Sequence, residues 1–150
     1  MPEKKTIERA REDAREGKAP TTQAGEFVRE EMEHIREGKH GARSTKQAIA
    51  IGLSKARRAG VPLKPPKKGR ASTRTRVQAE RDYSKGQSGE GRRKPSATRS
   101  RAVRSALKRE GHSAASRPAL AKQARQAART RRKKGTATPA ARRSTRRKAS

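Results

Sequence analysis

The chain has 150 residues, with 43 Lys and Arg against 14 Asp and Glu, a formal net charge of +29. Ile, Leu, Val, Phe and Met together supply 15 residues, and there is one Phe, one Tyr, no Trp and no Cys. Ordering a residue costs about 1–2 kcal/mol, so this apolar content excludes one well-packed globule over the whole length.

Other classes fall on the same grounds. Without Cys there are no disulfides and no thiolate metal sites. The longest uncharged stretch of the apolar part, Gln47 to Ser54, is too short to span a bilayer. The opening MPEKKTIERA has no apolar core of a secretory signal. A cytoplasmic protein with no membrane partner and no small-molecule substrate is the expectation.

The charge is uneven. Residues 1–37 hold 10 acidic and 8 basic side chains, whereas residues 38–150 hold 4 acidic and 35 basic. No acidic residue occurs from Gly38 to Ala79 or from Gly111 to Ser150. A near-neutral segment followed by a long basic one points to a polyanion partner.

Residues 1–20 read as a charged N-terminal arm, with a frayed helix over 3–16 ending at Gly17 and only Ile7 as a large apolar side chain. Residues 21–62 read as a helical hairpin. Its first helix, 22–37, starts at Thr21 or Thr22 and ends at Gly38. Ala24, Val28, Met32 and Ile35 follow the helical repeat with Phe27 beside them, and Glu26, Glu30, Glu33 and Glu37 form an acidic face. The second helix runs from Thr45 to Ala59, opened by a Ser44/Gln47 capping box and closed by Gly60. Ile49, Leu53 and Ala56 make its stripe, widened by Ile51. The two stripes can face each other, and the charges of the two helices are complementary. Self-association through this hairpin is a further reading of the same faces. Arg15-Glu16-Gly17-Lys18 recurs as Arg36-Glu37-Gly38-Lys39, either a duplication or a common helix ending.

Residues 63–95 read as a Pro/Gly-rich basic linker with a short helix over 73–84, anchored by Val77 and Tyr83. Residues 96–150 read as a basic tail, helical or disordered, with helical stretches over 98–110 and 117–134. Lys46-Gln47-Ala48 recurs as Lys122-Gln123-Ala124, and at that offset Ile49, Ile51 and Leu53 become Arg125, Ala127 and Arg129. The later helix cannot pack an apolar face, but it can lie along a phosphate backbone. The fold class is therefore mainly α: a short helical hairpin, then a largely disordered Ala/Arg/Lys-rich tail with transient helices that gain order on a polyanion.

Catalysis has little support. Gly52-Leu53-Ser54-Lys55 resembles a phosphate loop only superficially and lies inside a helix. Glu30, Glu33, His34, Glu37 and His40 are the one cluster with metal-ligand character, and they read as a solvated acidic face because such sites need ligands from several helices. No cofactor and no metal are expected, and the chain reads as non-enzymatic.

Nucleic-acid binding is the expected function. Lys and Arg neutralise phosphates and release counterions, while Tyr83 is the sole aromatic of the basic region, which disfavours base-stacking readers. DNA bound without sequence preference is the first reading, with an RNA or ribosome partner second. The phosphate contacts expected on the hairpin are Arg43, Lys46, Lys55, Arg57 and Arg58. In the tail they are Arg131, Arg132, Lys133, Lys134, Arg142, Arg143, Arg146 and Arg147.

The block from Lys18 to Pro66, with its core GKHGARSTKQAIAIGLSKARRAG over 38–60, resembles an uncharacterised family of small basic bacterial proteins. Members have been labelled a domain of unknown function, a DNA-binding protein or a plasmid stabilisation protein. The resemblance implies a bacterial, cytoplasmic, nucleoid setting and brings no functional residues with it. The tail is similar to histone-like nucleoid proteins in composition only.

Overall fold

A computed structural model describes residues 2–89 and 96–136, with side chains as far as Lys133. Its regular elements are six helices: α1 (Lys4–Arg15), α2 (Pro20–Arg36), α3 (Thr45–Arg58), α4 (Thr73–Gln87), α5 (Ala97–Arg109) and α6 (Arg117–Thr136). A short 3-10 turn spans Ser113–Ala115, and an isolated bridge joins Lys68 to Ala71. Among the described residues there is no strand, and no helix is long and apolar enough to cross a membrane. The chain divides into two compact units, residues 1–115 and 116–150.

In the central hairpin Ala24, Phe27, Met32 and Ile35 of α2 are buried, as its apolar periodicity predicts, with Val28 partly buried. On α3 the buried small residues are Ala48, Gly52 and Ala56, while Ile49, Ile51 and Leu53 of the expected stripe are only partly buried. The helices approach closely because α3 carries Gly52 at the crossing: a Cβ there would lie 2.7 Å from Val28 Cα. The glycine that gave a superficial phosphate-loop pattern is thus a packing residue. Ser44 caps α3, accepting a hydrogen bond from the Gln47 backbone N–H at 3.2 Å. The reciprocal bond of the capping box shifts by one residue, the Arg43 N–H donating to Gln47 Oε1 at 2.8 Å.

The start of α2 differs from the Thr21 or Thr22 expected. Pro20 occupies the first turn, where its fixed φ suits a helix and its missing N–H is not needed. The repeated Arg-Glu-Gly-Lys is one helix-ending device used twice. In each copy the glycine is left-handed, at φ 73° for Gly17 and 74° for Gly38. The following lysine N–H then reaches back to Asp13 O or His34 O, both at 2.9 Å, in the six-to-one pattern of a Schellman cap.

The hairpin does not stand alone. Ile7 and Ala10 of α1 pack on a core of Ala24, Phe27, Ala56 and Val61, with Leu53 and Leu63 at its margin. On the other flank α4 lies against α3. Its anchors are not Val77 and Tyr83, which are only partly buried, but Ala79 and Asp82. Asp82 accepts from Ser54 Oγ at 2.6 Å and from Gln78 Nε2 at 3.1 Å.

A further attachment joins residues distant in sequence. The Gly41 N–H donates to Leu107 O at 2.8 Å and the Ala42 N–H to Gly111 O at 3.0 Å. Thr45 Oγ1 donates to Ala114 O at 2.6 Å, and Arg36 Nε to Ala115 O at 3.0 Å. The segment 107–115 is thereby fastened to the α2–α3 loop, and Ala114 and Ala115 are buried. Helix α5 hangs from this attachment by its C-terminal end and buries none of its own residues. The second unit, in its described part, is α6 preceded by Ser116. The helical stretches expected in the tail over 98–110 and 117–134 correspond to α5 and α6, while residues 137–150 lie outside the described residues.

Candidate nucleic-acid interface

The basic side chains sort into two groups by what they touch. Lys55 lies inside the protein: its Nζ donates to Glu31 Oε2 at 2.5 Å and stands 3.8 Å from Glu30 Oε1. Glu31 is 1% exposed and Glu30 4%. Helix α2's acidic face is therefore not fully solvated as its pattern suggested. Glu30 and Glu31 turn inward because α3 supplies an ammonium and the start of α1 supplies an N–H, from Glu3 to Glu30 Oε2 at 3.1 Å. Arg57 is buried too and donates from Nε to Leu63 O at 3.1 Å, closing the turn after α3. Burial pushes its guanidinium below the ordinary arginine value, with Asp82 opposing the shift. Both side chains are bound to intramolecular partners.

The other three hairpin candidates face outward. Arg43, at 81% side-chain exposure, has Glu110 4.0 Å away, and Lys46 is exposed on the first turn of α3. Arg58 is half exposed, donating to Ser54 Oγ at 3.1 Å with Asp82 at 3.6 Å. In the tail Arg131, Arg132 and Lys133 are exposed on α6. The Lys134 side chain, Arg142, Arg143, Arg146 and Arg147 lie outside the described residues.

Sequence reasoning passed over α5. Its sequence ATRSRAVRSALKR contains no acidic residue. Arg101, Arg104 and Lys108 recur at i, i+3 and i+7, which places them on one helix face, and all three are exposed. Val103, 54% exposed, and the half-buried Leu107 recur at i, i+4 on another. The spacing is legible in the sequence, but these three basic residues stand apart from one another and form no contiguous run. In α6 Lys122, Arg125, Arg129 and Arg132 repeat the pattern over three turns, again with no acidic residue. A helix of 20 residues is about 30 Å long, so this row offers several phosphate-sized steps of charge. Leu120 is partly buried, and no residue of α6 with a described side chain is fully buried.

Residues 21–70 match a family of unknown function (DUF6496). No curated protein and no solved structure matches the chain. The matched segment covers α2, α3 and the extended stretch after them, the part with the densest core. It is similar to an uncharacterised domain, and the match carries no activity or partner with it.

Proposed function

We propose that this protein is a non-catalytic, largely sequence-nonspecific DNA-binding protein of the nucleoid-associated or plasmid-stabilisation type, acting in the cytoplasm by neutralising the phosphate backbone. One observation carries the reading: α5 and α6 are acid-free helices with basic residues in rows and no buried residue of their own among those described. A helix with no apolar face in a core has little tertiary stabilisation, and a row of like charges along one face favours whatever neutralises it. Phosphates do both, neutralising the row and releasing counterions. The contacts are assigned to Arg43, Lys46 and Arg58 beside the hairpin, to Arg101, Arg104 and Lys108 on α5, and to Lys122, Arg125, Arg129, Arg131, Arg132 and Lys133 on α6. Lys55 and Arg57 are left out because their donors face the interior.

Nonspecificity follows from the side chains offered. Few Asn or Gln accompany the arginines on these faces, and Tyr83, the one aromatic of the basic region, is partly buried. The test is binding of the full chain to two unrelated duplexes of equal length, with structured RNA as competitor. Affinities for the duplexes within a few-fold of each other are expected. A hundredfold preference for one duplex contradicts the reading, and RNA displacing DNA at much lower concentration assigns the protein to the RNA-binding class.

A further inference from the structure

Where α1, α2 and α3 meet, two buried carboxylates face one ammonium. Glu31 takes the Lys55 hydrogen bond, and Glu30 Oε1 is buried with no hydrogen-bond partner. A buried carboxylate oxygen left without a partner is costly, so the cluster carries more negative charge than its lysine offsets.

The histidines beside it sharpen the point. His40 Nδ1 is 3.1 Å from Gly41 O, and its Nε2 is 3.0 Å from Glu31 Oε1. A neutral imidazole has one donor and one acceptor nitrogen, so it cannot satisfy both contacts. With Nδ1–H donating to the Gly41 carbonyl, Nε2 turns a lone pair toward the Glu31 carboxylate, and two electron-pair donors facing each other are what a metal ion can bridge. The 3.0 Å separation is a few tenths of an ångström short of the roughly 3.3–3.6 Å between ligand atoms on a tetrahedral ion with bonds of about 2.0–2.2 Å, so a small outward shift of the His40 ring admits the ion. His34 stands one turn beyond Glu31 on α2, and its ring is 6.1 Å from that of His40. One ligand atom from each of Glu31, His34 and His40 lies within 4.8 Å of the other two.

Both rings are also held from outside. Glu3 Oε1 lies 2.9 Å from His34 Nε2, and the Gly41 carbonyl holds His40 Nδ1. A carboxylate or carbonyl on the far nitrogen is the usual outer partner of a metal-bound imidazole. The side chains of His34 and His40 are 13% and 15% exposed, enough for solvent to reach a fourth position.

We propose that Glu31, His34 and His40 bind a divalent transition ion of the zinc type. The Glu-x-x-His pair on α2 and the loop histidine supply one oxygen and two nitrogens, the ligand set of an open zinc site. Lys55 and Glu3 position the ligands from outside. The sequence placed His34 and His40 in its one cluster of metal-ligand character, beside Glu30, Glu33 and Glu37, but did not single out Glu31.

The test uses the untagged full chain, stripped with EDTA and titrated with zinc sulfate in a calorimeter. One ion per chain is expected, with a rise in Tm on the same addition. His34→Gln and His40→Gln should each weaken binding by at least about tenfold, and His112→Gln should leave it unchanged. No stoichiometric binding, or wild-type affinity in the H34Q/H40Q double variant, overturns the site. If either variant loses its helical circular dichroism, the visible spectrum of the wild-type chain with cobalt(II) decides. Intense bands of a low-coordinate N/O site uphold the proposal, and the spectrum of the aqueous ion overturns it.

Discussion

Lys55→Met separates the two roles that basic residues play in this chain. Lys55 Nζ is hydrogen-bonded to Glu31, a side chain 1% exposed, with Glu30 also within 4 Å. Methionine keeps the length of the side chain and removes its charge. Two buried carboxylates then lose their shared cation, a change worth about 3–5 kcal/mol. Lys55 itself is 17% exposed, so solvent screens part of the loss and the lower end, about 3 kcal/mol, is the expected value. For a unit of this size that is a fall in Tm of about 10 °C, read by circular dichroism. The partner substitution Glu31→Gln, added to Lys55→Met, should recover part of the loss, because a neutral amide tolerates burial better than an unpaired carboxylate. Lys46→Met is the matched comparison: exposed on the same helix, it should change stability by less than about 0.5 kcal/mol. It should instead lower the steepness of the log–log salt dependence of DNA binding by about 0.9. Lys55→Met, measured in the cold where it is folded, should keep the wild-type salt dependence. A Lys55→Met protein that melts with the wild type refutes the buried-pair reasoning.

Three further outcomes are expected. Gly41→Ala should release the segment 107–115, since a Cβ at Gly41 would lie 2.0 Å from Glu110 O; limited trypsin digestion should then cut within 99–109 faster while the α1–α4 core stays protected. Gly52→Val should force α2 and α3 apart and cost about 1–3 kcal/mol, read as a lower urea midpoint. The triple variant Arg101→Gln, Arg104→Gln, Lys108→Gln should melt with the wild type but reduce the DNA salt slope by about 2.7, the value for three phosphate contacts.

The helices of residues 20–60 were legible in the sequence because local signals agree there. Ser44 and Gln47 mark a start, Gly38 and Gly60 mark ends, and Phe27, Met32, Ile35 and Ala56 give the period between them. Helix α4 was legible as an element but not in its packing, because its anchor is a hydrogen-bonded Asp82, which patterns like a surface residue. The attachment of 107–115 was invisible, since it is made by backbone groups of Gly41, Ala42, Leu107 and Gly111 and by Thr45 and Arg36 donating to carbonyls. Such bonds leave no trace in composition or periodicity. The site residues divide in the same way. Lys46 and Lys55 look alike in the sequence, and only the placement of Glu31 against α3 shows that one is interior. The rows on α5 and α6 follow from spacing alone, whereas the Lys122-Gln123-Ala124 likeness to α3 showed only that Arg125 and Arg129 replace an apolar face.

The salt dependence of duplex DNA binding by the full chain tests the central claim most directly. About ten phosphate contacts give log affinity falling with log salt at a slope near −9, equal for unrelated duplexes. A slope near zero, with affinity unchanged as salt rises, contradicts binding through the acid-free helices.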